Sequence, residues 1–288
     1  MGRLFAAATF IAVAASAQNA QRYPVTGLVL KTDPAHRSFV ASCTEIPGYM
    51  KAMVMPFSVR DEKQLDGVGP STIVDFTLVV TSDDSYAENL RVHHYNSMDV
   101  EPVEVRNLQL LRGSSAAAPG PPQIAVGDGV PDFTLTDQTR QKISLSQFSG
   151  KIVVAAFIYT GCPLPNYCLR LSNNLGTLQK RFADSLGRDL ILISVTMDPV
   201  HDTPDVLEKY AARWKADPRG WHFLTGQPGE VSEICHRFGV DFWVGEGSLT
   251  HSLHTIVIDR RQKLAANFEG NEFTAEQLGD FVEATLHK

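Results

Sequence analysis

Cys162 and Cys168 bracket five residues in "TGCPLPNYC", directly after the apolar run "KIVVAAFIYT". Two thiols so placed can exchange disulfides with other thiols, hold a soft metal ion, or close a structural loop. The placement favours the first two, because a buried strand ends there and a helix begins. Side chains leave the core at that edge of an open α/β sheet, and the unpaired N–H groups and dipole of a helix N-terminus favour thiolate over thiol. A second sulfur cluster lies in "CTEIPGYMKAMVMPF", which gathers Cys43, Met50, Met53 and Met55. A lone methionine is core filler. Three of the chain's six beside a cysteine suit copper(I), which selects thioether and thiolate sulfur. If "MVM" is extended, Met53 and Met55 point to one face.

The histidines are harder to place. His251 and His254 stand three apart in "LTHSLHTIVID", so on one strand they face opposite ways and only one reaches a given site. His254 reads as a surface or packing residue. His93 and His94 are neighbours on a strand and do not form one site; His201 and His222 read as solvated or structural. Cys235, in the helical "EVSEICHRFGV", points away from the adjacent His236 and reads as a buried, inert thiol.

The elements that must position these groups fall into two segments. "MGRLFAAATFIAVAASAQ" has one basic residue, a short apolar stretch and Ala15-Ser16-Ala17, the pattern of a secretory signal over residues 1–17. A membrane anchor is the competing reading, but the run is well short of the roughly 20 apolar residues a span needs. Export puts the mature chain, periplasmic or otherwise secreted and soluble, in an oxidising compartment. Four cysteines are too few for a disulfide scaffold in 288 residues. The net charge of −6 and the lack of basic runs argue against a nucleic-acid surface. "RGSSAAAPGPPQIAVGDG" reads as a linker, placed at 113–126, between a unit over 23–112 and one over 127–288. The first unit is all-β: "YPVTGLVLKTD", "SFVASCTEI", "VMPFSVRD", "STIVDFTLVVTS" and "LRVHHYN" are short, β-branched strands that suggest a small OB-like barrel. The second alternates, with "IVVAAFIYT" and "LILISVTMD" as fully buried parallel strands and "DTPDVLEKYAARW" as a helix capped by Asp202 or Thr203. A hairpin, "SLHTIVIDR" and "KLAANFEG", and the helix "TAEQLGDFVEATLH" complete an α/β thioredoxin-like layout.

Three blocks in order, "FIYTGCPLPNYC", "MDPVHDTPDVLEKYA" and "THSLHTIVID", resemble the Sco/SenC proteins over residues 127–288. Those are thioredoxin-fold copper proteins that help build the binuclear copper centre of cytochrome c oxidase. The resemblance implies copper ligation by Cys162, Cys168 and His251, which lies eight residues before Asp259, with Asp198 supporting the site from behind. The family usually has three residues between its cysteines, against five here. "AMVMPFSVRD" resembles the CusF-like exported copper carriers, whose pattern is a histidine followed by a "MxM" strand. That implies copper(I) at Cys43, which replaces the histidine, with Met53 and Met55 and with Met50 as a weaker candidate.

Together these readings describe an exported metallochaperone rather than an enzyme acting on an organic substrate. It would hold copper(I), and copper(II) at the C-terminal site, for a cytochrome c oxidase copper-centre subunit, with a thioredoxin-like protein as reductant. The rival is a thiol-disulfide oxidoreductase that uses Cys162 and Cys168 as its redox pair. Such reductases usually carry a proline before the strand facing their cysteines, and "LTHSLHTIVID" has none. A third reading is an interaction module with a structural disulfide.

Overall fold

The computed structural model describes residues 20–93, 122–244 and 249–287. The expected leader, His94 and most of the expected linker lie outside them. Among the described residues no helix is long and apolar enough to cross a membrane.

The first unit is a five-stranded antiparallel sheet of β1 (Gln21–Asp33), β2 (Ser38–Cys43), β3 (Met53–Ser58), β4 (Ile73–Val80) and β5 (Ser85–His93), in the order β3-β2-β1-β4-β5. Alternation drives it: in β4, Val74, Phe76 and Leu78 are buried while Ile73, Asp75 and Thr77 are only partly so. Phe39, Phe57 and Phe76 meet at centroid distances of 4.8–5.5 Å and fill the interior. Register shifts between Val29 and Lys31 in β1, and between Asp75 and Thr77 in β4, bend the sheet. Its edges therefore approach each other, and Val59 bridges Ala87 in parallel. Gly27 is required by close approach: a Cβ there would lie 3.1 Å from both the Ala41 Cβ and the Cys43 Sγ.

The second unit is a seven-stranded mixed sheet. Its elements are β6 (Thr134–Asp137), β7 (Lys142–Ser144), β8 (Ile152–Ile158), α1 (Cys168–Arg181), β9 (Leu190–Thr196), α2 (Pro204–Arg213), β10 (Trp221–Thr225), α3 (Pro228–Arg237), β11 (Phe242–Val244), β12 (Leu249–His251), β13 (His254–Ile258), β14 (Leu264–Glu269) and α4 (Ala275–Leu286). The order is β14-β13-β8-β9-β10-β6-β7, with β8, β9 and β10 parallel. Every residue of β8 and β9 is buried, including the polar Ser194 and Thr196 that interrupt the apolar run of β9. β11 and β12 form a separate antiparallel ribbon. Capping boxes at Gln227/Glu230 and Thr274/Gln277 start α3 and α4. Residues 124–126, expected to end the linker, are already bonded in through Ile124, whose N–H donates to the Arg237 carbonyl, and the Gly127 N–H that follows donates to that of Leu264, each at 2.8 Å.

The two units pack together. Leu28 and Leu30 of β1 belong to the second unit's core. The Ser42 hydroxyl donates to Asp280 at 2.6 Å, and the Gln277 amide donates to the Ser42 carbonyl at 3.0 Å. His93 bridges the units, with Nδ1 3.0 Å from Asp75 and Nε2 3.1 Å from Glu272. Both contacts call for an N–H on the ring, so the bond to Asp75, aided by Glu272, raises the His93 pKa above its ordinary 6.5. A raised folded-state pKa stabilises fully below the unfolded value and loses that contribution as pH rises through the folded one. The Tm advantage of wild type over His93→Ala should therefore shrink steadily from pH 6 to pH 9. A constant difference would show that the ring's charge contributes nothing.

Candidate metal centre

β8 carries the chain through the core and releases it at Tyr159. Thr160 is then seized by Asp202, a carboxylate only 2% exposed. Asp202 accepts the Thr160 N–H at 3.0 Å, the Thr160 hydroxyl, and the Thr196 hydroxyl at 2.5 Å. The ends of β8 and β9 are thus tied two residues before Cys162. The Cys162 N–H closes a turn onto the Tyr159 carbonyl at 3.3 Å, and the side chain is half-buried. After the loop, Cys168 is the first residue of α1 and is fully buried. The helix therefore fixes one sulfur, while a loop carries the other.

His251 arrives from the opposite side as the last residue of β12, paired across the ribbon with Phe242. Its Nδ1 lies 2.9 Å from the Ser252 carbonyl. A carbonyl only accepts, so Nδ1 holds the proton and Nε2 presents a lone pair. That Nε2 is 3.6 Å from the Cys168 Sγ. Tyr159 and Tyr167 set their rings against the imidazole at 88°, with centroids at 5.7 and 6.0 Å, which fixes its plane. The donor atoms of Cys162, Cys168 and His251 all lie within 4.8 Å of one another. Three donors around one ion at about 2.2 Å would stand roughly 3.8 Å apart, so a small contraction completes a trigonal set.

The two sulfurs differ in charge. Cys162 is pulled down to about 4, chiefly by the thiol of Cys168 donating to it, with backbone N–H groups adding to this against the cost of burial. Cys168 is pushed well above its ordinary value, first by burial and then by that shared proton. The reduced pair is an accessible thiolate backed by a buried thiol. It can attack a disulfide through Cys162, or accept a soft cation in place of the Cys168 proton.

Asp198 is the carboxylate expected to support the site. It pairs with His201 at 2.8 Å, and the carboxylate that braces the cysteine loop is Asp202, four residues on. Asp202 stood in "DTP" as a possible helix cap, but Thr203 is the N-cap of α2 and leaves Asp202 free to turn inward. His254 and His251 lie on separate strands rather than on two faces of one, and His254 Nδ1 is 2.9 Å from the Asn267 side-chain oxygen. Cys235 is fully buried, and burial raises its thiol pKa. His222 faces Asp137 at 3.6 Å and stacks on Phe148.

In the first unit, Cys43 stands opposite Met53 across β2 and β3, and Ala41 opposite Met55. Cys43, Met53 and Met55 therefore share the face that Phe39 and Phe57 bury deeper in. Met53 is 48% exposed, whereas Met50 and Met55 pack partly buried against the core. Cys43 is 1% exposed, and burial raises its thiol pKa to about 12.

A thioredoxin-like sheet with two cysteines at its strand–helix corner and a remote histidine over them defines a class of thiol proteins with a built ligand set. A candidate electron transfer protein from Aquifex aeolicus VF5 shares this fold, with a TM-score of 0.50 and 19% identity over 56% of this chain and 94% of that one. The SCO1/SenC family profile matches residues 123–287, and the chain belongs to that family. It is 29% identical over 150 residues to the SCO1 protein homolog of Bacillus subtilis, covering 50% of this chain and 76% of that one. A candidate copper-binding protein of Stutzerimonas stutzeri is 27% identical over 128 residues, 43% of this chain and 60% of its own.

Thiolate is the form that alkylates, so Cys162 should react with iodoacetamide at a rate nearly level from pH 9 down to about pH 6, falling only towards its pKa of about 4. Cys43, Cys168 and Cys235 should stay unlabelled at pH 7 in the folded protein. Mass spectrometry reads both outcomes. A Cys162 rate climbing through pH 8, as for an ordinary thiol, would contradict the charge arrangement.

Proposed function

We propose that the chain is an exported copper metallochaperone. The observation that carries this is the convergence of Cys162, Cys168 and the His251 Nε2 within 4.8 Å, with the imidazole already in the ligating tautomer. A dithiol reductant needs the two sulfurs alone; a third, oriented nitrogen donor is what a metal site adds. Copper is the cargo. Cys162 meets it first as a half-buried thiolate, Cys168 yields its proton and binds next, and His251 completes the set. Sulfur and imidazole together suit both copper(I) and copper(II). Family membership and the likeness to a candidate copper-binding protein of Stutzerimonas stutzeri support this choice of metal.

The five-stranded sheet is, on this reading, a CusF-like OB barrel that captures copper(I) through Cys43, Met53 and Met55, with Met50 beside them. Its order β3-β2-β1-β4-β5, with a parallel bridge from Val59, just past β3, to Ala87 of β5, supports a five-stranded barrel, and the exposed Met53 gives the metal an entry. Ligand exchange then passes the ion to a cytochrome c oxidase copper-centre subunit in the periplasm or an equivalent compartment. A thioredoxin-like partner keeps the thiols reduced. The oxidoreductase reading draws on the Cys162 and Cys168 sulfurs alone and leaves the His251 orientation unexplained.

Copper titration separates them. His251→Ala should weaken copper binding at the C-terminal site by more than roughly tenfold and reduce thiolate-to-copper absorption, while disulfide reduction persists. Equal copper affinity in wild type and His251→Ala would overturn the chaperone reading. Met53→Leu and Met55→Leu, nearly volume-conserving, should keep the fold and lose competition with a copper(I) chelator. Unchanged competition would return both residues to packing.

A further inference from the structure

One short segment, residues 270–277, touches both units and the cysteine loop. The Gly270 N–H donates to the Leu253 carbonyl at 2.8 Å, two residues after His251. Asn271, 8% exposed, donates its side-chain amide to the carbonyl of Asn166, which lies between the two cysteines. Glu272 holds His93 of β5, and the Phe273 carbonyl accepts from Arg170 of α1 at 3.4 Å. Gln277 holds the carbonyl of Ser42, the neighbour of Cys43. Within eight positions the chain therefore binds the turn that follows the histidine, the cysteine loop and two strands of the first unit.

We infer that Asn271 is a positioning residue that favours the reduced cysteine loop and links its redox state to the docking of the N-terminal sheet. All four cysteines are free in this structure, so the Asn271 bond belongs to the dithiol form. To form a disulfide the sulfurs must close to about 2.05 Å. Cys168 is fixed in α1 and the core, so the movement falls on residues 162–167, including the Asn166 carbonyl. A small-molecule disulfide supplies the oxidant. The Cys162 thiolate attacks one sulfur of glutathione disulfide and expels a glutathione thiolate. Cys168 then loses its proton and attacks the Cys162 sulfur, expelling the second. The balance is one dithiol and one glutathione disulfide giving one protein disulfide and two glutathione thiols. The Asn271 bond favours the left side of that equation. By linkage, oxidation weakens in turn what Glu272 and Gln277 hold.

The test uses the full chain free of metal, so its outcome is separate from the copper reading. Wild type, Asn271→Ala and Glu272→Gln are equilibrated in glutathione buffers, and the disulfide fraction is read by trapping and mass spectrometry. Asn271→Ala should shift the equilibrium towards disulfide by about fivefold, the worth of one buried hydrogen bond. Glu272→Gln should shift it the same way by less. In wild type, amide hydrogen exchange in β2, β5 and the first turn of α4 should be faster in the oxidised than in the reduced protein, and Asn271→Ala should remove that difference. Equal glutathione constants for wild type and Asn271→Ala would overturn the positioning role. Equal exchange in oxidised and reduced wild type, a comparison that needs no variant to fold, would overturn the coupling.

Discussion

The hydrogen bond from His251 Nδ1 to the Ser252 carbonyl decides what the rest of the C-terminal unit can do. It fixes which nitrogen holds the proton, and so leaves the other as a lone pair aimed at the buried thiol. The β11–β12 ribbon, the two tyrosines and the turn after β12 serve that one orientation. Without it the imidazole could rotate, or present an N–H to Cys168 and compete for the sulfur lone pairs. Opposite it, Asp202 plays the corresponding part for the sulfurs by tying the ends of β8 and β9. Both devices are buried polar contacts, whose geometry is rigid because any departure leaves an unpaired group in low dielectric.

Much of this was legible in the amino-acid order, because the strongest signals are also the most buried. β8 is an unbroken apolar run and β9 is interrupted only by Ser194 and Thr196, as befits strands covered on both faces. The alternation of β4 likewise marks one dry face. Less visible were β6, β7, β11 and β12, each three or four residues long, too short for a period to register. The site divides the same way. Cys162 and Cys168 announce themselves by type and place, whereas Asp202 hid behind a helix-capping pattern that fitted it equally well. Asn271 carried no signal: an asparagine in a Gly-Asn turn reads as turn chemistry, and only the fold shows its amide reaching the cysteine loop.

The relation between the two units also departs from what composition implied. A proline- and alanine-rich stretch reads as a tether, yet the units share core residues and polar contacts at Ser42 and His93. Leu28 and Leu30 face the second core while Val25 and Val29 serve the first, so β1 is built into both. A strand that divides its side chains between two cores cannot detach without exposing one of them. That makes the relative placement of the sulfur clusters a property of folding rather than of chain length.

Gly27 bears on the departure of the first unit from the histidine-plus-"MxM" pattern. The sulfur of Cys43 lies only 3.1 Å from where a side chain at position 27 would begin. An imidazole at position 43 would set five ring atoms where the thiol sets one, against a backbone already in contact. Residues 27 and 43 are thus sterically coupled: a bulkier side chain on β2 demands that β1 first retreat, and the smallest amino acid on one strand sets the room left for its neighbour.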